Sequence, residues 1–307
     1  MKLSIVTTLY KSSLYVNEFH ERITKEAKKI TDDYEIIFVD DGSPDDSLEK
    51  VVNIHKRDKK VKVIELSRNF GHHKAIMTGL SHAKGDYVFL IDVDLEEEPE
   101  LLGKFWKELQ DSKDIDVVYG VQESRKGGWF EKYAGSWFWK LFNKLADINI
   151  SENQITVRLF SKNYVKNLGL FKEKELFLAG VFELVGFNQK AYIVQKNSSK
   201  TTTYGLTQKI KLLNNAIVSF SSFPLYISFY LGLFISSFSF MYGIYLIVNK
   251  LLFNSISSGW TSLMVSIWFL SGLLLLTVGI LGLYIAKIFN EVKNRPIIVK
   301  KVYSNNE

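Results

Sequence analysis

There is no cysteine in this chain of 307 residues. Disulfide scaffolds, thiolate zinc sites, iron–sulfur clusters and cysteine nucleophiles are therefore excluded, and the redox compartment stays open. Neither G-x-G-x-x-G nor G-x-x-x-x-G-K-[ST] occurs, which argues against Rossmann dinucleotide binding and P-loop chemistry. No nucleic-acid motif accompanies the net charge of +6 (39 Lys and Arg against 33 Asp and Glu). The opening Met1-Lys2-Leu3-Ser4-Ile5-Val6 runs straight into a strand-like pattern without a signal-peptide layout. The expectation is an N-terminal region that stays in the cytosol.

Charge is also missing from two long stretches, although the mean hydropathy of +0.01 hides this by averaging. Leu225 to Val248 and Ser262 to Ala286 carry no charged residue at all. About 20 apolar residues suffice for a helix to cross a bilayer, so both read as transmembrane spans. The loop between them holds one positive charge, Lys250. Lys209 and Lys211 lie before the pair, and Lys287, Lys293, Arg295, Lys300 and Lys301 at its far end or beyond. The positive-inside rule then places both termini in the cytoplasm, in the inner (plasma) membrane of a cell, with the short loop outside.

Two further segments are amphipathic. In 129–145, Phe130, Tyr133, Trp137, Phe138, Leu141, Phe142 and Leu145 recur at helical spacing among Lys132, Lys140 and Lys144. That pattern suits a helix in the headgroup layer or one facing a protein core equally well. Segment 205–222, with Ile210, Leu212, Leu213, Ile217 and Phe220, leads directly into the first span and reads as an interfacial juxtamembrane helix. The division expected is a cytosolic domain over 1–204, this helix, a two-helix membrane region over 223–289, and a cytosolic tail over 290–307. The basic residues suit anionic lipid headgroups.

Within the cytosolic domain, Leu3–Leu9, Glu35–Val39, Val61–Leu66, Tyr87–Ile91 and Val117–Val121 are short apolar runs that predict buried strands. Leu14–Ile30, Asp45–Lys56, His72–His82 and Glu98–Gln110 predict helices between them. Strictly alternating strands and helices imply an α/β, Rossmann-like, mostly parallel sheet with helices on both faces. Ligands bind such sheets outside the carboxyl ends of the strands. There the second strand ends in Asp40-Asp41-Gly42-Ser43-Pro44 and the fourth in Asp92-Val93-Asp94-Leu95-Glu96-Glu97-Glu98. By itself the first cluster reads as a turn with a helix N-cap. Asp92 and Asp94 are harder to explain without a ligand, since two carboxylates ending one buried strand repel unless a cation or donor compensates. Asp-x-Asp in that position suits a hard divalent cation bridging to a diphosphate.

The chain resembles glycosyltransferase family 2, in its membrane-anchored polyprenyl-phosphate branch (bactoprenol and dolichyl-phosphate enzymes). The likeness is carried by Phe38-Val39-Asp40-Asp41-Gly42-Ser43, Ser67-Arg68-Asn69-Phe70-Gly71-His72, Asp92-Val93-Asp94-Leu95 and Val157-Arg158-Leu159. Ser219-Phe220-Ser221-Ser222-Phe223-Pro224-Leu225, Glu291-Val292-Lys293-Asn294-Arg295-Pro296 and the paired spans extend it nearly end to end. The resemblance implies a GT-A domain that binds a nucleotide-sugar, UDP-linked in most such relatives, and Mg²⁺ or Mn²⁺. It implies Asp41 at the nucleoside, with Thr8, Tyr10 and Asp40 also on the donor side, and Asp92 with Arg68 at the diphosphate. It implies Asp94 as metal ligand with Asp92 and Glu96, the last usually Gln in relatives. The resemblance implies Asp92, Asp94 and Arg158 as the catalytic set. Arg158 matches the family's arginine motif and looks placed for the acceptor phosphate or the donor diphosphate, the acceptor being preferred because its planar fork fits phosphate oxygens. Lys126 is a weaker acceptor candidate. His72 and His73 read as structural or diphosphate-contacting.

The implied reaction is metal-dependent, inverting sugar transfer to undecaprenyl or another polyprenyl phosphate, giving a lipid-linked sugar for envelope glycans. Relatives of this layout can assemble as tetramers. Three positions depart from the family: Thr8-Leu9-Tyr10-Lys11-Ser12 replaces a Pro-x-Tyr-Asn-Glu stretch, Thr156 stands where many carry Asp, and Ala179-Gly180 stands for Arg-Gly. Two alternatives remain. A processive polysaccharide synthase would need Gln-x-x-Arg-Trp and more spans, yet none of the six Trp follows an Arg. A membrane-anchored scaffold would have lost catalysis, against which the intact Asp-x-Asp argues.

Overall fold

The computed structural model describes residues 1–112, 114–122, 153–173, 177–194, 221–253 and 259–304. Lys126 and segments 129–145 and 205–220 lie outside the described residues. Two compact units emerge, one built on a sheet that includes the chain after residue 295, the other containing the long apolar helices.

Leu3–Leu9 (β1) is buried along its whole length, as a central strand covered on both faces must be. It pairs in parallel with β2 (Tyr34–Asp40) and β4 (Tyr87–Leu90), and β2 in turn with β3 (Val61–Leu66). Side-chain alternation assigns the two faces. Ile5, Leu9 and Phe38 pack with helices α1 (Val16–Ile30), α2 (Ser47–Arg57) and α4 (Leu101–Asp111). Val6, Ile37 and Val39 pack with α3 (His72–His82), α5 (Lys162–Leu168) and α6 (Leu178–Leu184). Helix α3 comes so close that a Cβ on Gly79 would lie 2.5 Å from Val6 Cγ1.

The sheet is larger than the alternating pattern predicts. Strands β5 (Val117–Gln122), β6 (Gln154–Ser161), β7 (Gln189–Val194) and β8 (Val299–Tyr303) complete the order β7-β5-β6-β4-β1-β2-β3-β8. Four of its seven pairings are parallel; β6 runs antiparallel to β4 and β5, and β8 antiparallel to β3. Of these additional strands only β5 was legible. Strand β6 escapes a search for apolar runs because Arg158 interrupts it, and β8 because three of its five residues, Lys300, Lys301 and Tyr303, are polar-tipped.

Strand β8 comes from the segment expected as a tail. Its Lys300 pairs with the buried Glu65 of β3, and Tyr303 donates its hydroxyl to Glu65 Oε2 at 3.2 Å. In the second unit, α7 (Phe223–Phe253) and α8 (Trp260–Val292) extend beyond the uncharged runs at both ends. Both are long and apolar enough to cross a membrane. Large side chains such as Phe234 and Trp268 are 70% and 78% exposed, which water does not tolerate over two whole helices but lipid does.

Candidate active site

Because β1, β2 and β4 are mutually parallel, the residues that follow β2 and β4 emerge on one edge of the sheet. Asp40 and Asp41 are buried there. Asp40 Oδ1 accepts the Ser43 N–H at 3.3 Å, so part of the turn reading is present. Burial pushes its pKa up to about 6, the Ser43 and Gly42 hydrogen bonds opposing and Glu65 adding to the rise. Asp41 accepts from the backbone N–H of Phe70 at 2.7 Å and of Gly71 at 3.0 Å. It thereby ties the loop after β3 to the end of β2. Burial raises its pKa too, against those two bonds. Gly42 makes the junction possible: its φ is +64°, and a Cβ there would meet Asn69 N at 2.6 Å. Arg68 is exposed on this loop, its guanidinium 4.3 Å from the Phe70 ring. Thr8 is nearly buried and within 3.1 Å of His72 Nδ1, whereas Tyr10 stands exposed at the rim.

Asp92 and Asp94 follow β4. His72 Nε2 lies 3.5 Å from Asp92 Oδ1, and Asp94 Oδ1 accepts the Glu96 N–H at 3.0 Å. The turn is completed by Leu95 at φ +59°. Though 45% exposed, the His72 side chain is crowded enough for desolvation to lower its pKa, against the pull of Asp41 and Asp94. Among the described residues no three His, Asp or Glu side chains gather as a ready metal cage. The Asp92, Asp94 and Glu96 oxygens nonetheless fit a hard divalent cation by donor type, provided the substrate supplies further oxygens, as diphosphates do.

Antiparallel pairing brings in the last group. Strand β6 sets Arg158 opposite Leu90, two residues before Asp92. Asp92, His72, His73, Gln154, Thr156 and Arg158 then share the lining of one cavity of about 290 Å³, closed on the α6 side by Leu178, Ala179 and Phe182. Arg158 is no surface ion-pair residue: it is 1% exposed, with its guanidinium 4.2 Å from the Phe182 ring and 5.0 Å from that of Tyr119. Only Nη2 has a hydrogen-bond partner, Gln154 Oε1 at 2.5 Å. The Nε and Nη1 donors have none among the described residues. Burial lowers the Arg158 pKa to about 10, still leaving it charged at neutral pH.

The structure thus brings together Thr8, Asp41, Asp92, Asp94 and Arg158 around one sheet edge. Arg68 and Tyr10 stand at its exposed margin, and Lys126 lies outside the described residues. Gln154 and Glu183 were missed. Strand alternation puts 154, 156 and 158 on one face, and all three line the cavity, but with β6 unread in the sequence no signal marked Gln154.

A parallel-sheet α/β domain with paired carboxylates at its strand ends and an attached pair of apolar helices defines a GT-A-type transferase. The chain belongs to the glycosyl transferase family 2, whose family model matches residues 4–169, and it is a glycosyltransferase. A Mycobacterium tuberculosis protein, named only for that enzyme class, is 45% identical over 306 residues, covering 99% of this chain and 89% of that protein. The SfII prophage-derived bactoprenol glucosyl transferase of Shigella flexneri is 36% identical, with 100% of both chains covered. Among solved structures, a mycobacterial protein matches at a TM-score of 0.52 over 71% of this chain and 74% of its own, with 14% identity, a likeness of fold alone.

Proposed function

We propose that this glycosyltransferase moves a sugar from a nucleoside diphosphate, UDP before GDP, to a polyprenyl phosphate such as undecaprenyl phosphate. The observation that carries the reading is Arg158, a buried cation with two unpartnered donors on a cavity shared with Asp92. Burying such a charge is costly unless an anion answers it. Relatives named for bactoprenol and matched over their full length support a lipid phosphate as that anion.

Asp41 uses one lone pair of each oxygen to hold the loop at 70–71, leaving others to accept from the nucleoside. Arg68, on the exposed side of the same loop, is placed to meet the diphosphate. Asp94, with Asp92 and Glu96, would hold Mg²⁺ or Mn²⁺, which supplies positive charge to the departing diphosphate. Arg158 fixes the acceptor phosphate by a fork of donors. An oxygen of that phosphate attacks the anomeric carbon from the face opposite the diphosphate; the new C–O bond forms as the old one breaks, and its electron pair leaves on the nucleoside diphosphate. Configuration inverts. A phosphate monoester has its second pKa at about 6, so no strong base is required.

Connectivity supports the expected membrane sidedness. Only residues 293–298 separate α8 from β8, and β8 pairs with β3. A bilayer cannot divide a sheet, which supports a two-span hairpin entering and leaving on the sheet's side, the cytoplasmic one by its lysines.

The test is transfer of radiolabelled sugar by purified, detergent-solubilised protein, offered UDP- and GDP-sugars with Mg²⁺ or Mn²⁺ and undecaprenyl phosphate. Label is expected in the organic phase only with lipid phosphate and metal, and is expected to vanish in Asp94→Asn. Lipid-independent transfer, or none from any donor, would sink the reading.

A further inference from the structure

Among the described residues, the buried Arg158 does not meet a carboxylate. Its Nη2 donates to Gln154 Oε1 at 2.5 Å, and Gln154 Nε2 donates to Glu183 Oε1 at 2.8 Å. Glu183 belongs to α6 and Gln154 to β6, so the chain of bonds crosses from the sheet to the helix that closes the cavity. A neutral amide therefore stands between the cation and the acid that balances it. Glu183 still acts on Arg158 through space, helping to keep it protonated against burial.

We propose that Gln154 is a positioning residue for the acceptor phosphate. This rests on the reading of Arg158 given above. The amide does two things that a carboxylate in its place would not. It anchors one terminus of the guanidinium, which fixes the plane and leaves Nε and Nη1, on opposite flanks of that plane, open to donate to an oxyanion. It also keeps the compensating charge one link away, so the guanidinium is not neutralised before the phosphate arrives. A carboxylate at 154 would pair with Arg158 directly and repel the incoming anion. Thr156 and Ala179, in the same lining, carry no charge. Arg158 is then the only Lys or Arg among the described residues of that lining, which makes its orientation decisive.

Charge placement is tested with three full-length variants in detergent: Gln154→Glu, Glu183→Gln and the double exchange. The double exchange keeps the wild-type net charge but moves the carboxylate next to Arg158. Two readouts are taken, steady-state transfer to undecaprenyl phosphate and equilibrium binding of dodecyl phosphate, with UDP binding and thermal unfolding as companions. Gln154→Glu and the double exchange are expected to weaken dodecyl phosphate and raise the acceptor KM about tenfold, the low end for a charge-assisted bond. UDP binding is expected to be unchanged. Glu183→Gln keeps an acceptor for Gln154 and removes a repelling charge, so dodecyl phosphate is expected to bind about threefold tighter.

A double exchange that behaves as wild type would overturn the proposal, because net charge and not the amide's position would then decide. Loss of UDP affinity with dodecyl phosphate unaffected would overturn it in favour of the donor diphosphate as the anion. Glu183→Gln binding more weakly would also count against it. If no variant transfers sugar to lipid, wild type included, while dodecyl phosphate binding still follows the expected order, the positioning role stands and the lipid-acceptor reading falls. Transfer by wild type with all three variants unaffected does the reverse.

Discussion

Asp40 and Arg158 are buried ionisable residues whose surroundings work against their charge. For Asp40, burial raises the folded pKa to about 6 from an ordinary carboxylate value near 3.8. The folded state then holds the proton more tightly than the unfolded chain. This group's contribution to stability is present below about pH 4 and is lost as pH rises towards 6, a cost on the order of 2–3 kcal/mol above that range. Asp40→Asn keeps the acceptor for Ser43 N–H. Without donor bound, it is expected to raise the unfolding midpoint at pH 7.5 and to flatten the difference in stability between pH 4 and 7, read by thermal melts against wild type. For Arg158, the two unpartnered donors predict a trade between stability and function. Arg158→Met is expected to abolish lipid-linked transfer, by at least about a hundredfold, while leaving stability unchanged or higher by roughly 1 kcal/mol. A melt showing strong destabilisation would mean that the arginine serves the fold first.

Elements decide where these residues arrive. Helix α3 owes its approach to Gly79, where a Cβ would meet Val6 Cγ1 at 2.5 Å and Val39 Cγ2 at 3.0 Å. Gly79→Ala is expected to cost about 1–3 kcal/mol by overpacking and to shift His72, at the start of that helix, relative to Thr8. Thermal unfolding and a raised donor KM would report it. At the sheet's edge, β8 covers β3, whose paired neighbours on the other side reach to Asp40. Deleting residues 296–307 would expose the β3 edge and strip Glu65 of Lys300 and Tyr303. The expected outcome is a lower unfolding midpoint and concentration-dependent aggregation in light scattering. The parallel half of the fold was legible because β1 to β4 are mostly buried and rich in Val and Ile, and alternate with amphipathic helices. Beyond β5, the rest of the sheet was not. Strand β6 is interrupted by Arg158, which is buried by rings from Tyr119 and Phe182, and β8 by lysines of which Lys300 pairs with Glu65 of β3; no local pattern announces such neighbours.

For the molecule as a whole, the absence of native cysteine makes topology directly measurable. Ser257→Cys, between the two apolar helices, is expected to react with a membrane-impermeant maleimide on intact cells. Ser304→Cys, just past β8, is expected to react only after permeabilisation. The reverse pattern would place the sheet outside. By itself the sequence determined the class of protein: charge-free runs long enough to span a bilayer, alternating apolar and amphipathic segments, and an Asp-x-Asp at a strand end. These are local properties, written in composition and period over a few to two dozen residues. Tertiary structure alone decided that Arg158 lies opposite the end of β4 and not on the surface. It also decided that Gln154 and Glu183 stand behind Arg158, and that strand β8 returns to pair with β3. Each of these depends on pairings between residues far apart in sequence, and on burial that turns an ordinary charged side chain into one requiring a partner.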